Sequence, residues 1–406
     1  MEKASDITLV SSSPHRRDSQ LHVIVVNYFY EADLRTPDDL LDRYSTIRPL
    51  ARALHNEGVE VTVLQRFHRD AIVDDDGVHF NFFADGFDPD LRKWQIPTSF
   101  HKAVRGVCTH REASRIALHI NGLFYPLQAI SLRRMIPAPC AIVAQHHAER
   151  PWKIIRRPLQ KWGLRSADGF FFAARGLADY WIKCGIVAGW QRVYEVMEGS
   201  TCFHRRDKVA ARSRSGLRGT PTVLWVGNLT ANKDPLTVLA GFDRVLQEVP
   251  EARLYMAYRS TDLLGPVRDL IASSLRLRSA VTLLGDVPHL EMENLYNSAD
   301  YFVLGSHYEG SGFALAEAMA CGAVPIVTAI PSFLAMTDKG NVGACWVPSD
   351  SHSFASTFIR ILAQSVEDLS NRTESCFHRK LSYRAIARNS LQAYNELVSI
   401  RRATKI

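Results

Sequence analysis

Two short apolar runs constrain the fold of this chain more than any other feature. Leu21-His22-Val23-Ile24-Val25-Val26 and Val223-Leu224-Trp225-Val226-Gly227 both read as strands, and each opens the same pattern of strand then helix. After the first run, a helix is expected through Ile47, Leu50, Ala51 and Leu54, stopping near Gly58, with a second strand from Val59 to Leu64. That is a βαβ opening, the mark of an open parallel sheet. Further strands are expected at Ile116–Ile120, Cys140–Ala144, Gly169–Ala173 and Val193–Val196.

A chain of 406 residues is too long for one ordinary core. The expected class is therefore α/β, with two Rossmann-like domains facing a cleft. Residues 21–203 are expected to form the first and residues 221–380 the second. Between them, residues 204–220 are rich in Arg, Ser, Ala and Gly, show no apolar period and read as a linker. Residues 1–20 read as a flexible polar tail. Residues 381–406 read as an amphipathic helix carrying Ile386, Leu391, Ala393 and Leu397, expected to return to the first domain.

A net charge of +7 and a pI near 9.0 suit an anionic ligand, an anionic membrane surface or nucleic acid, and choose none of them. No nucleic-acid reading module is recognisable. Seven cysteines, scattered and without C-x-x-C spacing, indicate neither a disulfide frame nor a zinc site and fit a reducing cytosol. No run approaches the 18 to 20 apolar residues of a membrane span. The loop after the first strand, NYFYEADLRTPDDL, lacks the glycines that a dinucleotide-binding dehydrogenase needs there.

The stretch from Glu309 to Gly322, EGSGFALAEAMACG, carries two acids eight residues apart. On one helix they would differ by about 80° in direction and about 12 Å in height, poor geometry for a shared proton. Gly310-Ser311-Gly312 instead puts Glu309 on a loop and Glu317 on a helix ended by Gly322, between strands at Asp300–Leu304 and Val324–Val327. A loop at the carboxyl end of a parallel strand, feeding a helix N-terminus, is an anion site. Lys233 stands at another helix start, where the dipole already presents positive charge and a ligand phosphate would resolve the conflict; a solvated lysine is the alternative. Asp74-Asp75-Asp76-Gly77 and Asp88-Pro89-Asp90 contain Asp-x-Asp but read as turns, so no metal site is expected.

VGNLTANKDPLTVLAGF, the long stretch from Val281 to Thr328 and the closing helix together resemble the retaining glycosyltransferases of the GT-B fold, family 4 with its Glu-x7-Glu motif. The likeness covers nearly all of the second domain. It implies transfer of a sugar from a UDP- or GDP-sugar co-substrate to a hydroxyl acceptor with retained configuration, and neither metal nor other cofactor. It places Glu317 at the ribose hydroxyls, and Glu309 with Gly310, Ser311, Gly312 and Phe313 along the donor sugar and diphosphate. Lys233 would meet the diphosphate, and Val287 belongs to the turn over the nucleobase. A sugar-nucleotide 2-epimerase or a non-catalytic nucleotide-sugar-binding protein on the same scaffold are the alternatives.

The departures from the family pattern matter. Asn228 stands where the family commonly has Arg, and Tyr258-Arg259-Ser260 where it commonly has a Gly-rich turn, so Arg259 is expected to supply the missing guanidinium. The family's Gly-Gly loop after the first strand is absent. The family often has a His near the anomeric carbon; His119 and His146, both at strand ends, are the candidates. Finally, Arg150 to Trp162 interleaves basic residues with Trp and aliphatics, as a segment contacting the inner membrane surface would; a solvated basic face is the alternative.

Overall fold

The computed structural model describes residues 20–87, 89, 91–109, 115–136 and 139–403. Nearly the whole polar tail and the second Asp-x-Asp pair, Asp88 and Asp90, lie outside these residues. The first sheet holds β1 (Leu21–Asn27), β2 (Glu60–Phe67), β3 (Ala71–Asp75), β4 (Val78–Ala84), β5 (Arg115–Asn121), β6 (Cys140–Gln145), β7 (Gly169–Phe172) and β8 (Arg192–Glu195) in the order β3-β4-β2-β1-β5-β6-β7-β8. Every pairing is parallel except the β3–β4 hairpin. The second sheet holds β9 (Thr222–Val226), β10 (Arg253–Ala257), β11 (Val281–Gly285), β12 (Tyr301–Leu304), β13 (Val324–Thr328) and β14 (Ala344–Trp346), all parallel, in the order β11-β10-β9-β12-β13-β14.

Helices cover both faces of each sheet, so the central strands are buried throughout: every residue of β6, β7, β12 and β13 is buried, nearly all of them apolar. β1 pairs with β2 on one side and β5 on the other, Val23 facing both Val61 and Ala117, and β9 pairs likewise with β10 and β12. Strand order reverses at these two central strands, and at such a switch point a crevice opens beyond the carboxyl ends. Glu309 and Glu317 lie beyond the carboxyl end of β12, the neighbour of β9.

The first Asp-x-Asp pair lies in the β3–β4 turn, where Asp76 and Gly77 take left-handed φ of 53° and 81°. Arg52 Nε donates to Asp75 at 2.9 Å, which commits that carboxylate to a helix on the first domain.

Residues 204–220 are more than a linker. Lys208–Ser215 is a helix, capped by the Asp207 side chain accepting from Ala210 N at 2.7 Å and ended by Gly216 at φ 71°. Its anchor is ionic: Lys208 Nζ and Arg212 Nη2 reach the two oxygens of Asp300 at 2.9 and 2.8 Å. A helix fixed by capping and charge needs no apolar stripe, and apolar period was the criterion that failed to detect it.

The closing helix is Tyr383–Ala403, entered through a π-helical turn at Phe377–Leu381. It returns to the first domain. Arg115 Nη2 donates to Asn395 at 2.8 Å, Arg388 Nε to Glu57 at 3.0 Å and Arg401 Nε to Asp168 at 2.5 Å, while Tyr394 meets His119 behind β5.

Candidate active site

Beyond β12 the chain turns through Gly305 to Gly312 and enters the helix Phe313–Ala320. Two glycines shape this turn. Gly312 has φ +66°, and a Cβ there would stand 2.7 Å from the Phe333 ring. A Cβ on Gly310 would stand 2.8 Å from that of Ala148, so its absence lets the loop lie against the first domain.

The two carboxylates sit apart, one on the loop and one on the helix. Glu309 Oε1 accepts from Lys233 Nζ at 2.5 Å, and both side chains are largely buried. Lys233 immediately precedes the helix Pro235–Glu248, whose N-cap Asp234 accepts from Thr237 N at 3.2 Å. Glu317 Oε2 accepts from the Tyr296 hydroxyl at 2.9 Å, and Oε1 lies 3.1 Å from His289 Nε2. The hydrogen bond to Glu317 raises the pKa of His289 despite partial desolvation. Its ring stacks on Phe203, centroids 4.9 Å apart.

The first domain contributes an acid and a histidine. Glu198, in the loop after β8, accepts from Ser311 Oγ at 2.5 Å and pairs with His147 Nδ1 at 2.6 Å. Burial opposes charge on both, yet each sustains it in the other: Glu198 and Glu149 raise the pKa of His147, while His147, the Ser311 hydroxyl and His146 hold Glu198 below the ordinary carboxylate range. His147 Nε2 lies 3.2 Å from Asn121 Oδ1 at the end of β5. The two domains meet again where the Tyr308 hydroxyl donates to Glu149 O at 3.3 Å and Arg150 lies 4.8 Å from the Tyr308 ring.

A cavity of about 600 Å³ lies between the domains. Its polar wall includes Asn121, His147, Glu198, His289 and Glu317; Phe313 and the aromatic pair Phe29 and Tyr44 make much of the rest. Glu317 and Phe313, both candidate site residues in the sequence, are part of this lining. Ser311 touches the cavity's Glu198, whereas Glu309 and Lys233 pair with each other outside the lining. Asn228 is exposed, its Oδ1 accepting from Ser260 N at 3.3 Å. Arg259 Nε pairs with Asp286 at 3.0 Å, both side chains well exposed, and Val287 follows on the same loop, packed against the core.

The two expected histidines lie away from the cavity. His119 is buried, with Nδ1 at 2.5 Å from the Tyr394 hydroxyl and Nε2 at 3.1 Å from Asn121; desolvation lowers its pKa to about 3. His146 is fully buried, stacked on Phe172 and bonded to Glu149 O at 2.9 Å, and desolvation lowers its pKa too. Neither lines the cavity; His147, the residue after His146, does. Sequence reading missed His147, Glu198, His289 and Tyr296. Position at a strand's carboxyl end was the available signal for the first two, but it does not separate adjacent histidines.

Among the described residues no group of three His, Cys, Asp or Glu side chains is arranged to hold a metal ion, and no helix is long and apolar enough to cross a membrane.

Residues 208–375 match the family described as Glycosyl transferases group 1. The mannosylfructose-phosphate synthase of Agrobacterium fabrum is 35% identical over 124 residues, 29% of this chain and 27% of that protein. The GDP-mannose:cellobiosyl-diphosphopolyprenol alpha-mannosyltransferase of Xanthomonas oryzae pv. oryzae is 26% identical over 185 residues, 45% of this chain and 48% of that one. The chain thus spans less than half the length of either relative. A solved sucrose-phosphate synthase from Thermosynechococcus elongatus superposes with a TM-score of 0.67 at 18% identity, covering 94% of this chain and 100% of the other. That likeness establishes the two-domain fold.

Proposed function

We propose that the chain, whose second domain matches the group 1 glycosyl transferases, transfers a sugar from a UDP- or GDP-sugar to a hydroxyl acceptor with retained configuration and without a metal. The acceptor is a glycan, a lipid-linked sugar or a small hydroxylated product. The observation that carries the reading is Glu317: its carboxylate lines the cavity between the domains, held by Tyr296 and His289. Fixed acceptor oxygens of that kind suit the paired hydroxyls of a ribose.

The other roles follow from chemistry at the loop. A diphosphate would draw Lys233 away from Glu309, since both are anionic partners for one ammonium and the phosphate adds the free amides of the Gly310–Phe313 turn. Glu309, released, accepts from sugar hydroxyls. Arg259 swings from the exposed Asp286 to supply the charge that Asn228 lacks, and Val287 borders the base. Positive charge at the leaving diphosphate stabilises the transition state where negative charge grows. On the acceptor side His147, charged by Glu198, takes the place beside the sugar for which His119 and His146 are too deeply buried.

A panel of UDP- and GDP-sugars measured by thermal shift tests this reading. One donor should raise the melting temperature by mass action, and Glu317→Ala should abolish the rise. A response to no nucleotide sugar would refute it.

A further inference from the structure

The segment from Arg150 to Ala167 contains six basic residues, Arg150, Lys153, Arg156, Arg157, Lys161 and Arg165, and no acidic one. Among the described residues none of the six is ion-paired. Its helix, Arg157–Leu164, turns Gln160, Gly163 and Leu164 inward. A Cβ on Gly163 would stand 2.3 Å from Pro126, so that contact fixes which side faces the protein. Gln160 locks the turn before it, accepting from Trp152 N at 2.8 Å and donating to Leu123 O at 3.2 Å.

The outward side is apolar where solvent would favour polar groups. Ile154 and Ile155 are 77% and 93% exposed, and Leu159 and Trp162 follow on the helix at 38% and 52%. Neighbouring loops extend the surface. Lys93 sits 4.6 Å from the Trp152 ring and is followed by Trp94, 65% exposed. Gln191, whose amide donates to Leu164 O and Ala167 O at 2.8 Å, is preceded by Trp190, 60% exposed. Scattered exposed hydrophobics are ordinary, but a cluster fixed outward and ringed by unpaired cations calls for an occupant.

We propose that this face docks on an anionic lipid bilayer. The basic residues are attracted to the negative surface, and the isoleucines and tryptophans enter the headgroup boundary, the two signals that stable peripheral binding requires. The absence of any acid from the segment favours a lipid surface over a protein of mixed charge. The patch begins three residues beyond His147, and Arg150 lies against Tyr308 across the cleft, so docking sets the cleft mouth beside the bilayer. An acceptor with a lipid tail would then present its head to the cavity without leaving the membrane.

Flotation of the purified full chain with vesicles tests this. Vesicles of phosphatidylcholine with about 30% phosphatidylglycerol, a composition within the anionic range that attracts basic segments, should carry the protein, and pure phosphatidylcholine should not. Both I154S/I155S and K153E/R156E should weaken binding at least tenfold, whereas L275S, at a residue 77% exposed on the second domain, should not. Nucleotide-sugar binding without vesicles should be unchanged in all three, which separates failure of this proposal from failure of the proposed activity. Absence of flotation, equal flotation of the patch variants, or a dimer in solution that I154S/I155S dissolves without any vesicle binding would overturn it.

Discussion

Glu198 of the first domain and Ser311 of the second are joined across the cleft by a 2.5 Å hydrogen bond, within the same loop that carries Glu309. The clasp couples domain apposition to the geometry of the Glu309–Gly312 turn. Ser311→Ala removes a hydrogen bond to a buried charged acceptor, so it should destabilise the protein by about 1.5–3 kcal/mol, read from urea unfolding. An unchanged midpoint would show that the clasp contributes nothing.

The His147–Glu198 pair gives the clasp a pH window. The raised pKa of His147 means that its contribution is complete below the ordinary histidine value and is lost as pH rises through the shifted one. The lowered pKa of Glu198 means that its contribution is present above the ordinary carboxylate value and is lost as pH falls through the depressed one. His119, held neutral by burial, works the other way: its folded pKa of about 3 makes the protein less stable as pH falls below about 6.5. The difference in melting temperature between wild type and His147→Gln should therefore be greatest near pH 6 and shrink towards alkaline pH. A difference independent of pH would contradict the charged pair.

His119 is placed here as a structural residue, and Tyr394 tests that. Tyr394→Phe leaves a buried ring nitrogen without its partner and should cost about 1–3 kcal/mol of stability. Donor and acceptor KM should not move. A selective loss of kcat in a stably folded variant would return His119 to the catalytic machinery.

Much of the architecture was legible because buried parallel strands are continuous apolar runs: β1, β6, β7, β12 and β13 all fall where such runs lie. The Glu309–Gly322 turn was legible because Gly312 and Gly322 take positive φ, a local backbone requirement, whereas the demand for glycine at 310 comes from Ala148 of the first domain. What could not be read depends on distant partners. His119 faces Tyr394, 275 residues away, and only that contact shows that the closing helix covers it. Glu198 acquires its place from Ser311 and His147, and the helix at Lys208–Ser215 from Asp300. A charge supplied from elsewhere leaves no period in the sequence.

Arg259 is exposed and, among the described residues, ion-paired only with Asp286, so its removal should leave the fold intact. Arg259→Ala should raise the donor KM by about tenfold, equivalent to about 1.4 kcal/mol, with a smaller change in kcat. An unchanged KM would rule out its compensating for Asn228.

The second domain is proposed to grip an activated sugar through Glu317 and Lys233. Isothermal titration of the full chain with UDP- and GDP-sugars tests it most directly, using wild type, Glu317→Gln and Lys233→Ala. Saturable binding of one donor, weakened at least tenfold in each variant while Tyr394→Phe binds as wild type, is the expected result. Binding of no donor, or equal affinity across the site variants, would contradict it.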